Sequence, residues 1–194
     1  MKSRRLILSV LSALLLFGTS ALSGQHRSKN HHQQDEGNSV NAQLTGFDEV
    51  PAIVTTGSGD FSATIDDTGQ TITFTLTFSN LEGTTTASHI DVAQPDVIGG
   101  MSAFLCGGGS KPACPASGTV TGTIVAADVI GPAAQGIAPG AFAKLVQAID
   151  AGKTYVNVLS TQFPAGEIRG QIISGHGDNQ GGDIKSQNRA ARKH

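Results

Sequence analysis

The sequence has no tryptophan, a single tyrosine (Tyr155), two cysteines and no Asn-x-Ser/Thr acceptor in 194 residues. With so few aromatic rings, sugars and unpaired bases have few platforms to stack on. Charge is sparse as well, with Asp, Glu, Lys and Arg making up 14% of the chain. No GxSxG elbow occurs, and GGGSK at 107–111 lacks the order and spacing of a phosphate loop. His26, His31, His32, His176 and His194 lie near the ends, so His89 is alone in the body and a Ser-His-Asp triad has no second candidate base. His31 and His32 could capture a metal ion adventitiously, but nothing in their polar surroundings fixes a geometry, and they read as part of a solvated tail.

Long apolar runs are also lacking, except for one from Leu6 to Leu22 that follows Lys2, Arg4 and Arg5. This is a signal-peptide layout, and the small residues Thr19, Ala21 and Ser23 place cleavage between Ala21 and Gln25. The alternative is an uncleaved anchor, for which about 17 apolar-rich residues is at the short limit of a span. Residues 25–39, QHRSKNHHQQDEGNS, contain no aliphatic or aromatic side chain and read as a linker. The same argument applies to 175–194, where Ile184 is the only large apolar residue. The expected organisation is a signal peptide at 1–24, a linker at 25–39, one folded domain at 40–174 and a polar, basic tail at 175–194.

The body carries Lys111, Lys144, Lys153 and Arg169 against eleven acids, a net charge of −7 that the two ends bring back to −2. Such a body repels phosphate backbones, which argues against nucleic acid as a partner. After signal cleavage no membrane span is expected.

Within the body the period is two. In QTITFTLTF at 70–78, Ile72, Phe74, Leu76 and Phe78 alternate with threonines, the pattern of a half-buried strand. Phe61, Ala63 and Ile65 alternate in the same way before a turn built on Asp66, Asp67, Thr68 and Gly69, so 58–79 reads as a hairpin. Further strands are expected near 41–47, 86–93, 101–105, 118–126, 154–160 and 167–173. From Pro139 to Ala151 the period changes, with Phe142, Leu145, Val146 and Ile149 on one helical face, Pro139 in the first turn and Gly152 as a cap. The fold class that follows is all-β: a Greek-key-like antiparallel sandwich or barrel of about 7–9 strands with one short helix near 140–151. Cys106 and Cys114, in CGGGSKPAC, read as a disulfide in an exported chain; a metal or redox pair would need further ligands or a CxxC spacing.

LTGFDEVPAIVT at 44–55, ASHI at 87–90, YVNV at 155–158 and FPAGEIRGQI at 163–172 together resemble the signatures of the CHRD, or chordin-type, domain over about residues 41–173. The resemblance implies an extracellular β-rich module of the kind found in chordin and in bacterial secreted proteins, and supplies an architecture more than an activity. Where many members of the family look like HIH and VHT, this chain has His89-Ile90-Asp91 and Val158-Leu159-Ser160. Three histidines on neighbouring strands would resemble the metal sites of copper and zinc superoxide dismutases. Here only His89 and Asp91 remain as candidate ligands. The competing reading is a partly buried His89 hydrogen-bonded to Asp91 or a threonine.

Glu167 and Arg169, two apart on one strand face, read as an ion pair that fixes register, since a guanidinium neighbour pulls a carboxylate away from general-base work. Pro164, Gly166 and Phe163 read as the turn of a hairpin, Gly170 as part of the strand after it, and Glu49 and Pro51 as a strand end and a bulge or turn. The function expected from these features is a secreted, non-enzymatic module without a cofactor, binding a protein or an envelope or matrix component. The alternative is a copper- or zinc-binding or redox protein using His89. A third expectation is that Lys185, Arg189, Arg192 and Lys193 tether the tail to an acidic surface.

Overall fold

The computed structural model describes residues 39–66 and 68–175; the expected signal segment, almost all of the expected linker, the expected tail beyond Gly175 and Asp67 of the expected turn lie outside the described residues. Nine antiparallel strands form one sheet: β1 (Ser39–Thr45), β2 (Ser58–Ile65), β3 (Ile72–Ser79), β4 (Thr85–Val92), β5 (Gly100–Cys106), β6 (Gly118–Ile124), β7 (Thr154–Ser160), β8 (Ile168–Gln171) and β9 (Ile173–Ser174). Their order is β5-β4-β7-β8-β1-β2-β3-β6, with β9 continuing β8 along β1. Both β3 to β4 and β6 to β7 are crossovers, which gives the expected Greek-key character, while β5 to β6 joins the two ends of the sheet. The sheet curls until its ends nearly meet: the Ile130 amide, beyond β6, donates to the Ser102 carbonyl on β5 at 2.8 Å.

Strand alternation builds the core. Ile72, Phe74, Leu76 and Phe78 on β3 are each no more than 2% exposed, and burying each side chain stabilises the fold by roughly 1.5–3 kcal/mol. Phe61 on β2 stacks against Phe74 with ring centroids 6.2 Å apart. The opposite positions of β1, β2, β3 and β6 face outward as threonine, serine and other polar side chains.

The helix α1 spans Phe142–Asp150 and buries Phe142, Leu145 and Ile149 in the same core. It begins three residues later than Pro139 suggested, so that proline lies before the first turn. Its C-terminus closes as expected on Gly152 at φ +63°, with the Gly152 and Lys153 amides donating to the Ile149 and Ala148 carbonyls at 2.8 and 2.9 Å. Between β5 and β6, Cys106 and Cys114 form the disulfide.

Replacing both cysteines by alanine is expected to lower stability by about 2.5 kcal/mol, the chain-entropy value for so short a loop. Chemical denaturation of the oxidised protein and the double variant measures it, and full loss of the cooperative transition would show the bridge to be a requirement of the fold.

Candidate functional site

β4 and β7 are buried on both faces. Their inward side chains, among them Ile90, Val92, Val156 and Val158, join the apolar core. Their outward side chains build a second, polar layer. Register sets His89 opposite Asn157 and Asn157 opposite Arg169, while Asp91 faces Tyr155 and Tyr155 faces Gln171. His89, Asp91, Tyr155, Asn157 and Arg169 are each 5% exposed or less.

Two loops roof this layer. From the loop after β4, the Gly99 amide donates to the Tyr155 hydroxyl at 3.2 Å and the Ala93 carbonyl accepts from Gln171 Nε2 at 3.0 Å. From the loop after β1 comes Glu49, itself buried. Beside the roof a cavity of about 230 Å³ is lined by Asp48, Pro95, Asp96, Arg169 and Gln171.

The electrostatics inside are specific. His89 Nδ1 lies 2.9 Å from Asp91 Oδ1. The two atoms are close enough for an ion pair but not aligned as a hydrogen bond, and neither has another hydrogen-bond partner. The Arg169 guanidinium sits 3.5 Å from the centroid of the Tyr155 ring, a cation–π contact. Burial pushes the Tyr155 hydroxyl above its ordinary pKa.

Glu49 is the least comfortable member. Its Oε1 is buried without a partner, as is Asn157 Oδ1. Both converge on Gly166, where a Cβ would stand 2.5 Å from the first and 2.6 Å from the second, and where φ is +145°. Only glycine meets both conditions. Burial pushes the Glu49 carboxyl up to about 7, against the lowering effect of the Arg169 charge and the Val50 amide, with Asp91 and Asp48 adding to the rise.

The predicted motif residues are therefore assembled, with one correction. Glu167 and Arg169 form no ion pair. The Glu167 carboxylate turns away and accepts from the Thr55 hydroxyl at 2.8 Å and the Glu82 amide at 2.6 Å. Burial raises its pKa, but the Ser160 hydroxyl, the Glu82 amide and the Thr55 hydroxyl outweigh that and hold it below the ordinary carboxylate value. The segment between β7 and β8 is the expected turn, with the Ser160 and Gly166 amides both donating to the Phe163 carbonyl and Pro164 between them. Gly170 is where β8 approaches β1 so closely that a Cβ would stand 2.2 Å from the Gln43 carbonyl oxygen. Pro51 lies in the β1–β2 loop, beyond the ladder.

His89 and Asp91 come together as a pair, and half-buried Leu159 lies opposite Ala87. Among the described residues no group of three or more His, Cys, Asp and Glu side chains is placed to hold a metal ion. Two ligands fall short of the sets that zinc and copper take. The sequence reading missed Tyr155, Asn157 and Gln171, and did not anticipate that Glu49 is buried. The available signal was a β7 whose outer positions, Tyr155, Asn157 and Leu159, carry no charge.

The family profile described as CHRD domain matches residues 40–172. No curated protein and no solved structure matches the chain.

Two measurements test this layer. Because the folded-state pKa of Glu49 is raised to about 7 from 4.5, its contribution to stability is present below the unfolded pKa and is lost as pH rises through 7. The melting temperature of the wild type relative to Glu49→Gln is accordingly expected to fall between about pH 5 and pH 8, and a pH-independent difference would refute the assignment. Glu167→Ala is expected to cost about 3 kcal/mol by leaving buried donors unmatched; a loss under about 1 kcal/mol in denaturant titration would mean that these bonds do not hold the loops.

Proposed function

From its membership of the CHRD domain family, we propose that this chain is an exported, non-enzymatic binding module that engages a protein or an envelope or matrix component. One contrast carries the reading. The polar side chains that could do chemistry are buried under the two roofing loops, while those same loops present Phe47 at 70%, Val54 at 80% and Ile98 at 68% exposure. Exposed apolar side chains concentrated on adjacent loops favour macromolecular contact over turnover of a small substrate. The Cys106–Cys114 disulfide and the leader-like first 24 residues support export.

Immobilised wild-type protein and a Phe47→Ser, Ile98→Ser double variant, equally folded by circular dichroism, are to be exposed to culture fluid and solubilised envelope of the producing cell. The wild type is expected to retain a partner that the variant loses by about tenfold or more. Equal retention by both would remove the loops from the reading, and cytoplasmic retention of the intact chain on fractionation would remove export.

A further inference from the structure

The loop after β1 is tied down at its neck and at its far end. The Ile53 amide donates to the Gly46 carbonyl at 2.7 Å, and the Thr55 hydroxyl donates to Glu167. Between them Glu49 is buried against the turn that joins β7 and β8, and no donor meets it there. The Asn157 side chain is oriented by Nδ2, which donates to the Ala165 carbonyl at 3.2 Å. Turning that amide over would set its oxygen against the carbonyl. Oδ1 is thereby left facing the carboxyl: it and Glu49 Oε1 both lie within 2.6 Å of the point where a Cβ on Gly166 would stand. Both oxygens are buried and neither has a hydrogen-bond partner. Two acceptors brought together away from water are costly unless one of them carries a proton, and of these two only the carboxyl can.

We propose that Glu49 is a proton latch: its neutral carboxyl donates to Asn157 Oδ1 and holds the loop on the β7–β8 turn, and loss of the proton frees the loop and the placement of Phe47. The surroundings of the carboxyl set the direction. Burial, the largest influence, pushes it up to about 7; Arg169 from β8 and the Val50 amide act against the rise, while Asp91 from β4 and Asp48 from the same loop add to it. Asp91 is engaged with His89 at 2.9 Å. Tyr155 on β7 stays neutral, since burial raises its hydroxyl. Glu167 stays ionised, because its own donors outweigh its burial. A carboxyl at about 7 when latched and at 4.5 when hydrated favours the latched loop below pH 7, and that preference is lost as pH rises through 7. The latch regulates the surface used in the binding-module reading and rests on that reading for its consequence. A loop already ordered loses less freedom on contact, so a partner is held best on the acid side of neutrality.

The test is hydrogen exchange of the Ile53 amide in the full chain, followed by NMR without any partner from about pH 6 to pH 9. The reference is Glu49→Gln, whose side-chain amide can donate to Asn157 at every pH. Relative to that variant, exchange in the wild type is expected to accelerate about tenfold per pH unit above 7, toward a limit of roughly 300-fold. The side-chain carbonyl carbon resonance of Asn157 should titrate with the same midpoint in the wild type and stay flat in the variant. Parallel exchange profiles of the two proteins, or an Asn157 resonance that does not follow the carboxyl, would overturn the latch. So would an Ile53 amide that opens no more readily than the Leu76 amide in β3, since the loop would then move only with the whole fold. Because no partner is present, failure of the loops to capture one leaves these rates as they are, and the two readings fail separately.

Discussion

Three chain segments converge on the Glu167 carboxylate, and the position of β8 follows from where it holds them. Thr55 comes from the loop after β1, Glu82 from the loop after β3, and Glu167 itself from the turn between β7 and β8. A fully buried carboxylate is costly unless hydrogen-bond donors replace its water, and these donors come from residues far apart in sequence. Satisfying that one charge therefore closes loops that no local propensity would close. Two residues on, Arg169 lies over the Tyr155 ring, and its charge acts on the Glu49 carboxyl.

The polar layer over β4, β7 and β8 works differently from the apolar core. Burying a guanidinium, a carboxylate and an imidazole together is seldom a gain in stability over apolar side chains of similar volume. The layer gives the loop after β4 one arrangement: the Gly99 amide, the Ala93 carbonyl and the Gln94 carbonyl meet Tyr155, Gln171 and Arg169 below. Glu49 joins the roof with its carboxyl pushed up to about 7, chiefly by burial, which Arg169 opposes and Asp91 and Asp48 reinforce.

Much of the scaffold was legible in the sequence because period-two alternation is a local signal: the β2–β3 hairpin, the helix face and the turn at 163–166 needed no tertiary information. The partner of Glu167 was not legible, because an acid two residues from an arginine predicts an ion pair, and the donors that displaced it lie in loops with no periodicity. Nor was the second buried layer. Alternation assigns one face of a strand to the core and the other to water, and it cannot foresee loops folding back over the outer face. His89 and Asp91 were found as a pair because they share one strand; Asn157 and Arg169, which complete the row of His89, depend on register between strands.

The same geometry bears on how recognition is divided. Glu49, His89, Glu167, Arg169 and Gly170 belong to the segments that carry the family resemblance, and their side chains or backbone lie inside the two layers, where they fix loops and strand spacing. Buried residues cannot touch a partner without unfolding the roof. On the binding reading proposed above, selectivity falls to positions that the fold does not dictate, such as the exposed tips of the roofing loops. Substitution at those positions costs little stability, because they pack against little. A scaffold of this kind can change its partner while its signature residues stay the same, and for that reason family membership names the architecture here and the exposed faces must name the ligand.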